Sequence, residues 1–276
     1  MLRKDYEHIE KTFFSIKNEP IGYSYPDMYS AYKNFSKNFN IPIGNFILTN
    51  GCENAIRILL SLFSKEITTE KPLLIEKPGW ELVSVLAYAM DIPYKFYYYD
   101  NEFKTNYDKT HIVYTTDTYN NVIKHEFPSG EADIYIIDES YTMKHYFNEI
   151  QIQDNHIIIG SFSKLVDPGI RLGYILFSDK YRDKMNLLRE QYVNKNAVDI
   201  LKNLFIKKPD FTKPKIENSE LIVASHSTYL TLKINDFPLS HKKFSINNIN
   251  YCRIGRLSDK SQEVLLLNDI LRNIKE

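Results

Sequence analysis

The segment with the clearest chemical content is HIIIGSFSKLVDPGIRLGY, residues 156–174. A short apolar run leads into a polar loop with Ser161, Ser163 and Lys164, and Arg171 follows seven residues after the lysine. Hydroxyls and a guanidinium at one strand end can hold a phosphate through charge-assisted hydrogen bonds. A partly desolvated lysine beside another cation has a lowered pKa and becomes an amine nucleophile for a carbonyl. A surface lysine and a salt-bridged arginine explain each residue alone, but not the whole string.

The elements that would position this segment alternate along the first two-thirds of the chain. Apolar periodicity predicts helices at Ala55–Phe63 and Trp80–Met90. Strands are predicted between and after them, at Pro72–Ile75, Tyr94–Tyr99, His111–Thr115, Ile134–Asp138, His156–Gly160 and Leu172–Phe177. The alternation predicts an α/β fold with a mostly parallel sheet that binds its ligand at the carboxyl ends of the strands.

The pattern changes after Phe177 and predicts a smaller α+β domain. Its predicted helices are Tyr181–Tyr192, Ala197–Phe205 and Ser261–Ile274, and its predicted strands are Leu221–Ala224, Tyr229–Ile234 and Asn250–Ile254. The pattern therefore divides the chain near residue 180, ahead of a small C-terminal domain (181–276).

Composition excludes several classes of protein. Hydrophobic residues make up 43% of the 276 residues and charged residues 25%, which is typical of a globular protein. Lys plus Arg and Asp plus Glu both number 35, so no basic excess favours nucleic acid or a lipid surface. Two cysteines cannot form a disulfide framework, and the seven histidines show no metal-ligand spacing. The expectation is a soluble cytoplasmic protein without metal, membrane or nucleic-acid partners.

The string SFSKLVDPGIRLGY closely resembles the lysine motif of the fold-type I pyridoxal-phosphate enzymes, the class I/II aminotransferases. The resemblance implies that Lys164 forms a Schiff base with pyridoxal 5'-phosphate. It also implies that Ser161, Ser163 and Arg171 bind the phosphate of the cofactor. The implied fold is that of the aspartate aminotransferase type, a three-layer αβα large domain with a smaller α+β C-terminal domain. The resemblance thus implies an N-terminal arm (1–25), a large pyridoxal-phosphate-binding domain (26–180) and the small domain (181–276).

The string IIDESY, Ile136–Tyr141, places an acid at the end of a predicted buried strand. A carboxylate beside a pyridine nitrogen keeps it protonated, so that the ring can accept electrons from a carbanion. An ordinary strand-ending aspartate in a turn is the alternative. The string resembles the family's D-E-A-Y motif, which assigns Asp138 to the ring nitrogen and Tyr141 to the phenolic oxygen.

The string LTNGCENAI, Leu48–Ile56, reads as a strand, a glycine and a helix start. The backbone N–H groups of Cys52 and Glu53 would then face an anion, although such a turn is often only a turn. The string resembles the family's phosphate loop, which assigns Gly51, Cys52 and Glu53 to the cofactor. Cys52 contributes backbone in this interpretation and is not a reactive thiol.

Two aromatic residues are further candidates. Trp80, the only tryptophan, follows Pro78-Gly79 at a helix start, where its ring could stack on a planar ligand or belong to the core. It resembles the family's stacking aromatic residue. The string YSYPDMY resembles the Y-P-D segment of histidinol-phosphate aminotransferase-like enzymes, which implies that Tyr25 reaches the cofactor phosphate of the partner subunit. The resemblance therefore implies a homodimer with shared active sites.

Two polar residues complete the set. Arg253 in YCRIGRL resembles the family's substrate-carboxylate arginine, with Arg256 as a nearby competitor. The family's N-P-x-N-P-T-G motif corresponds to Thr115–Asn121, which lacks both prolines and the glycine. Asn120 is the candidate for the phenolic oxygen there, and Tyr119 is the alternative.

The resemblance implies an aminotransferase that moves an amino group between an amino acid or related amine and a keto acid through the Lys164 Schiff base. A pyridoxal-phosphate-dependent decarboxylase or lyase on the same fold, similar to threonine-phosphate decarboxylase, is the alternative enzyme. A non-catalytic cofactor-binding relative is a third alternative, because the segment Thr115–Asn121 departs from the family motif.

Overall fold

The computed structural model describes residues 28–77, 79–98, 110–116, 132–140, 152–164, 168–188, 193–194, 197–198, 201, 222–225, 229–232, 242–246 and 249–255. Tyr25, Asn120, Tyr141 and the predicted helix Ser261–Ile274 lie outside these residues. Within the described ranges, no helix is long and apolar enough to cross a membrane.

Helices and strands alternate in the first part of the described chain, and strands predominate in the later part. The helices are α1 Met28–Phe39, α2 Cys52–Phe63, α3 Glu81–Ala89 and α4 Arg182–Asn186. The strands are β1 Phe46–Thr49, β2 Leu73–Lys77, β3 Tyr94–Tyr98, β4 Thr110–Thr116, β5 Ala132–Asp138, β6 His156–Ser161, β7 Gly173–Phe177, β8 Ile222–Ser225, β9 Tyr229–Leu232, β10 Lys242–Ile246 and β11 Ile249–Gly255. Single 3-10 turns lie at Ile43–Asn45, Phe162–Lys164, Pro168–Ile170 and Asp179–Tyr181.

The six strands predicted in the first two-thirds of the chain are confirmed to within two residues at each end, as β2 to β7. Helix α1 was not predicted, because its buried positions are mostly aromatic rather than aliphatic. Their spacing nevertheless follows a helical period, with Ala31, Tyr32, Phe35 and Phe39 on the buried face. The predicted helix Tyr181–Tyr192 is wrong in its extent, because α4 ends at Asn186.

Seven strands form one mixed sheet in the order β1-β7-β6-β5-β4-β2-β3. β5 is parallel to β6, and β2 is parallel to both β3 and β4, whereas β7 is antiparallel to β1 and β6. Only residues 162–172 connect β6 to β7, and a parallel return needs a crossover of a dozen or more residues. The short connection therefore explains why β7 runs antiparallel to β6. A second sheet, β10-β11-β9-β8, is antiparallel throughout.

The chain divides into two compact units, Met1–Ser64 with Ile134–Asp210 and Lys65–Asp133 with Phe211–Glu276. The first unit contains β1, β5, β6, β7, α1, α2 and α4, and β6 and β7 are buried along almost their whole length. Its core includes an aromatic cluster of Phe35, Phe39, Phe162 and Tyr174, with ring centroids 3.7 to 6.3 Å apart. The division into an arm and domains at 25/26 and 180/181 stays a prediction.

The second unit contains β2, β3, β4 and α3, together with the antiparallel sheet. Helix α3, predicted as Trp80–Met90, buries Val83, Leu86 and Ala87. Glu76 on β2 is buried, and its Oε2 accepts hydrogen bonds from Thr115 Oγ1 at 2.7 Å and from the Thr116 backbone N–H at 2.8 Å. These bonds join the carboxyl ends of β2 and β4.

The Gly160→Ala substitution tests the packing between β6 and β7. A Cβ at Gly160 would lie 2.2 Å from Cζ of Tyr174, whose ring is held inside the aromatic cluster. We expect the substitution to lower the free energy of unfolding by about 1–3 kcal/mol, as overpacking of a core does. Urea unfolding measures this loss.

The Gly44→Ala substitution is the matched control in the same unit. The three atoms nearest to a Cβ at Gly44 would all belong to the Arg182 side chain, with Nε nearest at 3.0 Å. A flexible side chain can move aside, so the control should lose clearly less stability. Equal losses in the two variants would contradict a rigid contact between Gly160 and Tyr174.

Candidate functional site

The described candidate residues of the first unit lie where its strands end. Gly173 begins β7 and stands opposite Thr49, the last residue of β1, and opposite Ser161, the last residue of β6. Asp138 ends β5, which runs parallel to β6. Because β1 and β6 are both antiparallel to β7, the carboxyl ends of β1, β5 and β6 meet where β7 begins. This is the edge at which the sequence predicted a ligand.

Arg171 and Gly51 form one side of this edge. Both have a positive φ, 51° at Arg171 and 87° at Gly51. The Arg171 Nη2 atom lies 3.3 Å from the point that a Cβ on Gly51 would occupy, so the guanidinium lies against the residue that precedes α2. The first backbone N–H groups of a helix lack intrahelical partners and carry partial positive charge. The arginine and the helix start therefore form a surface suited to an anion.

Two glycines allow the backbone segments at this surface to approach each other. A Cβ on Gly173 would lie 2.7 Å from the carbonyl carbon of Gly51 and 2.8 Å from the Gly160 carbonyl oxygen.

In the first turn of α2, the Glu53 carboxylate accepts a hydrogen bond from Arg57 Nη2 at 3.0 Å on the exposed surface. Its side chain is thus engaged elsewhere, and Glu53 can offer an anion only its backbone N–H.

Two serines lie beside this surface, and one hydroxyl lacks a partner. The Ser163 backbone N–H donates to Ser161 Oγ at 3.1 Å, and Ser161 Oγ donates to the Leu172 carbonyl at 3.4 Å. Ser163 Oγ is buried and makes no hydrogen bond. A buried hydroxyl without a partner costs about 1–3 kcal/mol, so such an atom needs a ligand or another explanation. An anion at this position would satisfy it.

Asp138 ends β5 with its side chain buried, 6% exposed. Its Oδ1 accepts a hydrogen bond from the Ser140 backbone N–H at 2.9 Å. The Cys52 thiol lies 3.5 Å from its Oδ2, within the range of a sulfur hydrogen bond. Burial, and after it the Asp138 carboxylate, raises the pKa of the Cys52 thiol well above its usual value. The thiol therefore stays protonated and donates to Asp138, a role that the sequence did not suggest for Cys52.

Glu139 and Tyr174 form a second polar contact beside Asp138, and sequence patterns did not predict it. Glu139 is only 1% exposed, and its Oε1 accepts a hydrogen bond from the Tyr174 hydroxyl at 2.7 Å. The Glu139 backbone N–H donates to the Ile159 carbonyl at 2.8 Å, which continues the β5–β6 pairing beyond the end of β5. The only sequence signal is a second acid directly after Asp138, the predicted end of a buried strand.

The remaining predicted site residues that the structure describes are Lys164, Trp80 and Arg253. The backbone of Lys164 ends the 3-10 turn Phe162–Lys164 directly after β6. Trp80 belongs to the second unit, where it is half-buried and precedes α3 as its N-cap residue. Arg253 lies on β11 of the same unit, opposite Lys242 and Thr231.

Metal-ligating side chains are not clustered in the part of the chain that the structure describes. No group of three or more His, Cys, Asp or Glu residues there could hold a metal ion. The polar groups at the strand ends are instead a guanidinium and hydroxyls, which suit an anion, and a carboxylate to which a thiol donates.

The fold has counterparts among solved structures. L-threonine-O-3-phosphate decarboxylase from Porphyromonas gingivalis matches with a TM-score of 0.69 and 16% identity, covering 98% of this chain and 97% of that one. The histidinol-phosphate aminotransferase from Clostridium acetobutylicum matches with a TM-score of 0.66 and 16% identity, over 99% and 95% of the two chains. The PLP-bound C-S lyase from Staphylococcus hominis matches with a TM-score of 0.52 and 11% identity, over 72% and 61%.

No family sequence model matches the chain, and no curated protein matches it in sequence. At identities this low, the structural similarity establishes a common fold and not a common activity. They confirm the predicted fold class, the mixed and mostly parallel α/β fold of the aspartate aminotransferase type.

The protonated Cys52 thiol leads to a prediction about reactivity. We expect native Cys52 to react with iodoacetamide at least about tenfold more slowly than the same residue in the unfolded chain, because only the thiolate attacks. Since its pKa is raised in the folded protein, the rise of rate with pH should occur at higher pH than in the unfolded chain. Mass mapping of the peptide that contains Cys52 measures both rates.

The Asp138→Asn variant separates the two causes of this shift. It removes the neighbouring carboxylate but not the burial, so the native rate should rise only in part. Equal rates for native and unfolded protein would contradict the buried, protonated thiol.

Proposed function

We propose that the chain is a pyridoxal-phosphate-dependent enzyme, and that it acts as an aminotransferase. One observation carries the proposal: the anion surface of Arg171, Ser163 and the α2 start lies at the same strand edge as the buried Asp138. Lys164 ends the turn that follows β6 at that edge. A phosphate group, a ring nitrogen and an aldehyde would each find a partner of matching chemistry there.

The phosphate would bind the surface formed by Arg171 and the start of α2. The guanidinium lies against Gly51, and the backbone N–H groups of Cys52 and Glu53 open the helix. The buried Ser163 hydroxyl would donate to a phosphate oxygen, and its lack of another partner supports this role. Ser161 would act mainly through its side-chain oxygen, which already orients the Ser163 backbone N–H at 3.1 Å.

Asp138 would hold the proton on the ring nitrogen. A carboxylate that is 6% exposed has little water to compete with a cationic ring for its oxygens. One oxygen is already oriented by the Ser140 backbone N–H, which fixes the carboxylate before any ligand binds. When bound, the cofactor supplies an electron sink for the bonds at the α-carbon of an amino substrate.

Lys164 would bind the cofactor covalently through Nζ. Once an amino substrate has replaced this link, the free lysine amine would take the α-proton of the substrate, as a general base within hydrogen-bond reach does. Arg253 would bind the substrate carboxylate in a bidentate pair, which orients the α-carbon. Donor and acceptor would be an amino acid or related amine and a keto acid.

The other predicted contacts complete this proposal. Trp80 would stack on the ring, and Asn120 and Tyr141 would bind its phenolic oxygen. Tyr25 would reach the phosphate of the partner subunit, so the enzyme would be a homodimer with shared active sites.

A decarboxylase or lyase is the second candidate. The fold is shared with L-threonine-O-3-phosphate decarboxylase at a TM-score of 0.69 and with a C-S lyase. The same lysine, aspartate and phosphate surface serve either reaction, because the bond that breaks depends on how the substrate is oriented. Incubation with amino donors distinguishes the candidates, since transamination yields a keto acid, whereas decarboxylation releases carbon dioxide and an amine.

The covalent link at Lys164 is tested by borohydride reduction in the presence of pyridoxal phosphate. We expect the reduced adduct in the peptide that contains Lys164, because an imine of its Nζ is trapped as a stable amine. The Lys164→Ala variant should give no adduct and less than about one thousandth of wild-type turnover. Peptide mass mapping and turnover assays provide the measurements.

The Lys180→Ala variant is the matched control, because Lys180 is exposed and lies in the same unit. It should retain both the adduct and the turnover. An adduct on another lysine, or none at all, would refute the proposed function. An adduct at Lys164 without turnover of any amino donor would favour the non-catalytic cofactor-binding alternative.

The Asp138→Asn substitution tests the electron sink. The amide cannot hold a positive ring nitrogen as a carboxylate does, so turnover should fall by about 10²–10³-fold or more. The cofactor should still attach at Lys164, which borohydride trapping verifies. Exposed Asp154 provides the control, and Asp154→Asn should leave turnover unchanged. Wild-type turnover in Asp138→Asn would remove Asp138 from the proposed mechanism.

A further inference from the structure

We propose that Tyr174 is a positioning residue that holds the Asp138 segment through its hydroxyl and the Lys164 turn through its ring. The proposal deepens the proposed function and rests on it for the roles of Asp138 and Lys164. Tyr174 is not expected to touch cofactor or substrate, because its side chain is fully buried within the first unit.

The path of the Tyr174 side chain crosses an entire strand. Tyr174 on β7 stands directly opposite Gly160 on β6, and a Cβ at Gly160 would lie 2.2 Å from Cζ and 2.3 Å from the hydroxyl oxygen of the tyrosine. The ring therefore occupies the space that any other residue at position 160 would fill. The hydroxyl then reaches Glu139 Oε1 at 2.7 Å, one residue beyond the end of β5.

Glu139 transmits this contact to Asp138. Its side chain is bonded to Tyr174 and its backbone N–H to the Ile159 carbonyl, so side chain and main chain are both fixed. Glu139 lies between Asp138 and Ser140 in the chain, and the Ser140 backbone N–H donates to Asp138 Oδ1 at 2.9 Å. A buried carboxylate that loses a donor must find another or move. Loss of the Tyr174 hydroxyl should therefore disturb the Asp138 carboxylate.

The ring supports the lysine turn through Phe162. Its centroid lies 5.8 Å from that of Phe162 at an interplanar angle of 72°, an edge-to-face contact. Phe162 is fully buried and begins the 3-10 turn that ends at Lys164. Phe35 and Phe39 of α1 lie 5.7 and 5.9 Å from the same ring, so it has little freedom to shift. Removing the ring should loosen the turn.

The two contributions can be separated by substitution. Tyr174→Phe removes the hydroxyl and keeps the ring, so it should affect only the Glu139 side. Tyr174→Leu removes both and should also affect Phe162 and Ser163. Glu139→Gln keeps a carbonyl oxygen that can accept from the tyrosine, so the amides at positions 139 and 140 should exchange at wild-type rates. Glu139→Ala should behave like Tyr174→Phe.

Tyr32→Phe is the matched control. The Tyr32 hydroxyl accepts a buried hydrogen bond from the Leu48 backbone N–H at 3.1 Å, and both residues belong to the same unit as Tyr174. The control therefore makes the same chemical change and removes one buried hydrogen bond. It leaves the contacts of Glu139 intact.

Hydrogen exchange of the cofactor-free protein tests the positioning directly. In Tyr174→Phe, the Glu139 and Ser140 amides should exchange at least about tenfold faster, while the Phe162 and Ser163 amides keep their wild-type rates. In Tyr32→Phe, only the Leu48 amide should be faster. Equal acceleration of all core amides in Tyr174→Phe would mean a general loss of stability. Unchanged rates would mean that the Tyr174 hydroxyl does not hold the Asp138 segment. Either result would overturn the proposal.

A second measurement uses the protein loaded with pyridoxal phosphate. Tyr174→Phe should shift the pH midpoint of the bound cofactor's absorbance band, whereas Tyr32→Phe should not, and neither substitution removes a charge. The same midpoint in all variants would overturn the link from Tyr174 to Asp138. Failure of the wild type to bind the cofactor would instead refute the proposed function, and the exchange pattern would still decide whether Tyr174 fixes the segment.

Discussion

The antiparallel entry of β7 between β1 and β6 is the constraint on which the described site depends. Because β7 begins where its two neighbours end, Arg171 arrives at the start of α2 and beside the serines that follow β6. The parallel pairing of β5 with β6 adds Asp138 at the same edge. A parallel β7 would place Arg171 at the far end of the sheet, and the guanidinium would not reach Gly51.

The charges at this edge are arranged in two groups of opposite character. Arg171 and the start of α2 offer positive charge and N–H donors, with an unpartnered hydroxyl beside them. The β5 end instead carries two buried acidic residues, Asp138 and Glu139, each with hydrogen-bond donors. Burial, and after it the Asp138 carboxylate, raises the pKa of the Cys52 thiol, so the thiol stays neutral beside this acidic group. A ligand with a phosphate at one end and a basic nitrogen at the other matches this polarity.

Local sequence patterns predicted strands β2 to β7, since alternation and apolar runs depend on near neighbours in the chain. Side-chain alternation and apolar runs located β2 to β7 to within two residues. The contact between Tyr174 and Glu139 spans 35 residues and three strands, and no local pattern encodes it. The bond between Cys52 and Asp138 was missed for the same reason, because the sequence gives no measure of how closely a helix start approaches a strand end.

The register of β7 links this long-range contact to the anion surface. A slip of one residue would turn Tyr174 to the other face of the sheet. A different residue of β7 would then stand opposite Gly160. The same slip would move Gly173 away from Gly51, where only a residue without Cβ fits. Gly160 and Gly173 therefore select one register. That register places the Tyr174 hydroxyl at Glu139 and the Arg171 guanidinium at the helix start. The acidic group and the cationic surface thus depend on a single strand, so a change that displaces β7 must disturb both.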